Sequence, residues 1–242
     1  MARFAVILLV STMVAQLPAV HPSESDDAKR LVDNAIVAVG GHAKLSGFSK
    51  LVWTQTTYVI GDETTYSSKH YFQWPDQFRV EEGSVVEVIK GDKYWVKPAK
   101  GGVRERAKEE TPWAALRALW ICTLMPLAEK EFTFKHIGEK KIGERSAVGV
   151  QVLRDGYPTV KLYFDRDNKL LVKSEFRIKE TIAPFKEIGV EFYFTDYRVV
   201  DGAKFPHKRI TKHEGDIWDV VEFSKVKTVR KFDPALFEKP AE

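Results

Sequence analysis

His207 and His213 come nearest to a metal-chelating pair, and their spacing argues against one. Six residues along a strand put them roughly 20 Å apart, too far to share an ion, so both read as surface histidines. Asp165, Asp167 and Asn168 resemble part of a calcium loop, but the glycine and distal glutamate of that motif are missing and a tight turn is the better description. Cys122 is the only cysteine. An internal disulfide is therefore excluded, and no paired cysteines or H-E-x-x-H suggest zinc. There is no G-x-S-x-G elbow and no glycine-rich loop between a strand and a helix to cradle phosphates. The sequence is read as non-catalytic, with no cofactor and no metal; an enzyme with a scattered site is the remote alternative.

What the side chains do offer is apolar contact. The chain carries 6 Trp, 15 Phe and 8 Tyr, many in segments of strand character, and walls of this kind suit an apolar ligand held by contact area. Burial gains about 0.8 kcal/mol per methylene, so an acyl chain of about sixteen carbons represents roughly 13 kcal/mol before costs.

The elements that must position these residues are mostly strands. Period-two alternation with β-branched and aromatic residues predicts strands near 49–60, 64–74, 77–82, 85–90 and 93–97, then near 131–137, 146–153, 159–165, 170–180, 188–200, 204–213 and 216–229. Short links bounded by turn residues predict antiparallel neighbours. Val160, Leu162 and Phe164, and again Ile188, Val190, Phe192 and Phe194, place an apolar residue at every second position, which makes one face greasy. Ala28, Leu31, Val32, Ala35, Ile36 and Val39 follow helical spacing up to Gly40-Gly41.

One segment differs from all of this. Thr111–Pro126 reads TPWAALRALWICTLMP, with Arg117 its only charge. Thr111 is placed to cap a helix, Pro112 suits its first position, and Pro126 disfavours helical geometry at Met125, so about 13 residues are expected to be helical. That is too short to span a membrane and too apolar to be left uncovered. It is either a core helix packed on the sheet or a lid over a lipid cavity. The preceding 97–110 segment, KPAKGGVRERAKEE, reads as a surface loop with Gly101-Gly102 as a candidate hinge.

The first twenty residues combine Arg3, an apolar run from Phe4 to Val10 and small residues, the pattern of a cleaved secretory signal rather than of a short membrane anchor. The expectation is a signal at 1–20 and a single domain over 21–242, periplasmic or secreted. Thirty-eight basic against 34 acidic residues leave a net charge of +4, spread along the chain, and no nucleic-acid partner is expected from it.

The order of elements resembles the LolA/LolB superfamily of periplasmic lipoprotein carriers and receptors. Phe72-Gln73-Trp74-Pro75-Asp76-Gln77-Phe78-Arg79 is similar to the family's strand–proline–strand corner, and Gly91-Asp92-Lys93-Tyr94-Trp95 to its turn into an aromatic strand. Tyr197 through Asp201-Gly202 to Phe205-Pro206, and Phe232-Asp233-Pro234 with Leu236-Phe237, look like later strands of more distant envelope relatives. The resemblance implies a mainly β fold with some α, an incomplete antiparallel half-barrel of about 11–12 strands with its concave face covered by helices. It also implies a carrier that binds lipid or lipoprotein acyl chains, with a membrane-bound donor or receptor protein as partner. Where the carriers have an arginine that holds the helical lid closed, this sequence has Trp74. Trp74, Phe78, Val80, Val88 and Trp95 are expected on one wall, Phe164, Phe176, Phe192 and Phe194 on the other, and Leu116, Leu119, Trp120 and Leu124 on the lid. The rival from the same fold is an envelope-stress sensor of RseB type.

Overall fold

The computed structural model describes residues 24–129, 131–179 and 186–241. The expected signal at 1–20 lies outside the described residues. After α1 (Glu24–Val39), a short helix α2 (His42–Leu45) and a 3-10 turn come five strands: β1 (Lys50–Val59), β2 (Thr65–Gln73), β3 (Gln77–Glu82), β4 (Val85–Lys90) and β5 (Lys93–Lys97). A two-residue strand β6 (Arg104–Glu105) precedes α3 (Trp113–Cys122). Seven strands follow: β7 (Thr133–Ile142), β8 (Arg145–Leu153), β9 (Val160–Asp165), β10 (Leu171–Lys179), β11 (Glu187–Val200), β12 (Ala203–His213) and β13 (Asp216–Thr228). No helix among the described residues is long and apolar enough to cross a membrane.

The thirteen strands among the described residues form one sheet in the order β6-β5-β4-β3-β2-β1-β13-β12-β11-β10-β9-β8-β7. It is two meanders joined where β1 pairs antiparallel with β13. The sheet does not close, because β6 and β7 end it. This is the expected open antiparallel sheet, with thirteen strands instead of eleven or twelve. The addition is β6, which lies inside the segment read as a loop and pairs through Trp95 with Glu105 and Val96 with Arg104. The expected strand at 131–137 runs on to Ile142, because Gly138, at φ 86°, sits where the register against β8 shifts and pairing resumes at Glu139.

α1 buries Ala28, Val32, Ala35, Ile36 and Val39, its predicted apolar stripe, against β7, β8 and β12. Gly40 then passes so close to β12 that an added Cβ would come within 2.8 Å of the Gly202 carbonyl oxygen. With φ at 131°, this position requires glycine twice over.

α3 is shorter than predicted. Pro112 occupies the N-cap position and Thr111, extended at ψ 126°, makes no side-chain cap. The helix ends at Cys122, not Met125: Thr123 Oγ1 donates back to the Trp120 carbonyl, and Leu124 turns left-handed at φ 63° into a 3-10 turn over Met125–Ala128.

Candidate functional site

Directly opposed residues of an antiparallel pair share a face, so the registers define the concave surface. From β2 to β5, Phe72 opposes Phe78, Phe78 opposes Ile89 and Ile89 opposes Tyr94. In the other meander, Phe176 opposes Val190, and Ser174 opposes Phe192, which opposes Thr211. Phe176, Phe192 and Phe194 stack in edge-on sequence, with ring centroids 5.1 and 6.1 Å apart.

α3 lies on this face. Trp120, only 3% exposed, sets its ring 4.9 Å from Phe72, 5.4 Å from Trp74 and 5.9 Å from Trp113. Leu116, Ile121 and Leu124 are buried with it, and Leu119 is half-buried against the same cluster. The concave face is therefore continuous with the helix, and both belong to one core. Beside the first turns of α3 is an open cleft of about 1170 Å³, lined by Trp113, Ala114, Arg117, Arg154, Tyr157 and, from the concave face, Ile178 among others. There the Arg117 guanidinium lies between the Trp113 and Tyr157 rings, 5.3 and 4.9 Å from their centroids, and donates to the Gly156 carbonyl.

The sequence matches no protein-family model and no curated protein. The structure does find counterparts. A LolA superfamily protein from Nitrosomonas europaea superposes with a TM-score of 0.56 at 12% identity, over 88% of this chain and 97% of that one. A Vibrio parahaemolyticus domain assigned to outer membrane lipoprotein sorting gives 0.57 at 11% identity, over 89% and 97%. The fold is that of the LolA superfamily. A DUF1329 family protein from Desulfovibrio piger shares it, with a TM-score of 0.57 at 13% identity over 87% of this chain and 97% of the other.

Within this LolA-like sheet the predicted site residues fall into two sets. Phe164, Phe176, Phe192, Phe194 and Phe78 are buried in the central cluster, and Trp74 and Val80 pack against it. Val88 and Trp95 are not with them. They oppose each other, and Val88 also opposes Arg79, so both lie on the convex face. There Val88 is fully buried, on the side where Arg79 Nη1 donates to the Leu236 carbonyl in the C-terminal 3-10 turn. The grouping of these two with Phe78 on one wall is corrected accordingly. Phe78 has Ile89 as its cross-strand partner and Ile89 has Tyr94.

Trp74 stands at the corner between β2 and β3 of the LolA-like fold, edge-on to Trp120. Its indole N–H donates to Glu129 Oε1 at 2.9 Å, and Glu129 Oε2 accepts from Arg154 at 2.8 Å. This position thus reaches both α3 and the turn that follows it.

A polar group that apolar alternation does not mark is buried on the same face. Arg209 opposes Phe194 on one side and Val221 on the other, and its guanidinium carbon lies 4.4 Å from the Phe192 ring centroid. Burial pushes its pKa down, opposed by the charge of Asp219. His70, stacked 4.9 Å from Trp53 with a nitrogen 2.8 Å from Ser68 Oγ, is held down at about 3 by burial and then by the Arg209 charge. Cys122, the last residue of α3, has its thiol pushed up to about 12 by burial, which makes it unreactive. Two-residue counting from Phe205 would have placed Arg209 on this face. His207 and His213 share the face as well, half-buried instead of at the surface, His213 stacking 4.8 Å from Trp218.

Proposed function

We propose that the chain is a non-catalytic periplasmic or secreted carrier that binds a lipid or lipoprotein acyl chain on the concave face of the half-barrel, with α3 as the cover it displaces. The observation that carries this is an apolar helix, joining the two unpaired edges of an open sheet, laid on a concave face of phenylalanines. Trp74 and its bond to Glu129 then do from the sheet corner what an arginine does in the carriers the sequence resembles.

The magnitudes allow the exchange. Uncovering Leu116, Trp120, Ile121 and Leu124 costs about 1.5–3 kcal/mol each, roughly 6–12 kcal/mol in all, whereas burying a sixteen-carbon chain gains roughly 13 kcal/mol. An acyl ligand can replace the helix with a small surplus, which suits a carrier that must also release its cargo. The test is mass spectrometry of gently purified protein together with uptake of a fluorescent sixteen-carbon fatty acid. Copurifying lipid or saturable uptake is expected, and absence of both would overturn the proposal.

A further inference from the structure

Inside the apolar face sits a set of polar atoms with no hydrogen-bond partner: Arg209 Nε, His70 Nδ1, Trp53 Nε1, Thr211 Oγ1, Ser174 Oγ and, opposite Thr211, Asp219 Oδ1. Arg209 is only 9% exposed, and no ion pair to it exists among the described residues. A buried guanidinium with no carboxylate in contact is costly, and so is each unpaired polar atom around it. The registers bring these groups together. Thr211 follows Arg209 by two on β12 and opposes Phe192, which opposes Ser174. Cys122 at the end of α3 lies beside Ser174 and Arg209, so the helix proposed as the cover also lies over these polar groups. The set is rich in donors and is walled by Phe192, Phe194 and Phe223; Asp219, opposite Thr211, brings a carboxylate near Arg209 without forming an ion pair with it.

We infer that Arg209 anchors the oxyanion head group of the acyl ligand, so that the cargo is an anionic amphiphile rather than a neutral lipid or ester. The inference rests on the acyl-carrier reading above. A guanidinium fork matches a carboxylate or phosphate oxygen pair. The hydroxyls of Thr211 and Ser174 and the indole N–H of Trp53 supply further donors. Neutral His70 can add one more without bringing a second cation beside Arg209.

The test titrates the full chain at pH 8 with a fluorescent sixteen-carbon fatty acid and with its methyl ester, in the wild type, Arg209→Met and Arg209→Lys. The wild type is expected to bind the acid about tenfold or more tightly than the ester, the size of one charge-assisted hydrogen bond. Arg209→Met is expected to bind both alike, and Arg209→Lys to keep part of the preference. Displacement of the probe by unlabelled palmitate or by lysophosphatidylglycerol identifies the oxyanion as carboxylate or phosphodiester; either supports the anchor. Equal binding of acid and ester by the wild type overturns the anchor and leaves the carrier standing. Binding of neither overturns both. Because the wild-type comparison decides by itself, a Met variant that fails to fold does not rescue the inference.

Discussion

His70 is buried against Trp53 and stays neutral because burial and the nearby Arg209 charge hold its pKa at about 3, against 6.5 for the free group. Between those two values the unfolded chain binds a proton that the folded chain does not. Stability therefore rises with pH across this window and is lost, at about 1.4 kcal/mol per unit, as pH falls from 6.5 toward 3. Urea unfolding between pH 4 and 6 should show this slope, and His70→Gln should flatten it by about that amount; an unchanged slope would place the acid sensitivity elsewhere. Trp74→Phe keeps a ring beside Trp120 but removes the donor to Glu129. We expect a loss of about 1 kcal/mol in urea unfolding and faster uptake of fatty acid. At this scale the sequence disclosed the aromatic residues but hid the polar ones. A period-two pattern is sought in apolar residues, and Arg209, Thr211 and Ser174 occupy inward positions without announcing themselves by type.

Among the elements, α3 decides most. Trp120→Ala should lower the melting temperature, as a cavity of that size costs about 3–5 kcal/mol in a core. It should also raise the rate of fatty-acid uptake, because it weakens the cover. Val172→Ala, buried with Ala147 and Tyr163 in a cluster separate from the central one, should lower the melting temperature without speeding uptake, and equal effects on uptake from both variants would make α3 an ordinary core helix. The helix was legible from its composition, whereas its end was not: the turn at Leu124 depends on tertiary packing, with Leu124 itself 2% exposed. The faces of β4 and β5 were legible in principle. The two-residue turn at Gly83–Ser84 sets Val85 opposite Glu82, which puts Ile89 and not Val88 opposite Phe78. β6 carried no usable signal, since two exposed charged residues gain strand geometry only from the neighbouring β5.

For the whole molecule, the two meanders follow from short links between consecutive strands, and these were readable. The pairing of β1 with β13 was not, because strands separated by most of the chain carry no local sign of each other. That one long-range pair makes a single open sheet whose unpaired ends are joined through α3. The proposed carrier function requires α3 to move away from the sheet when an acyl chain enters. Spin labels on introduced cysteines at Ala115, on the cleft side of α3, and at exposed Lys161 on β9 would report that movement, with buried Cys122 left in place because its thiol is unreactive. Pulsed electron paramagnetic resonance with and without a saturating sixteen-carbon fatty acid gives the distance between them. The distribution should shift to longer distance with the fatty acid bound; an unchanged distribution at demonstrated saturation would rule out α3 as a displaced cover.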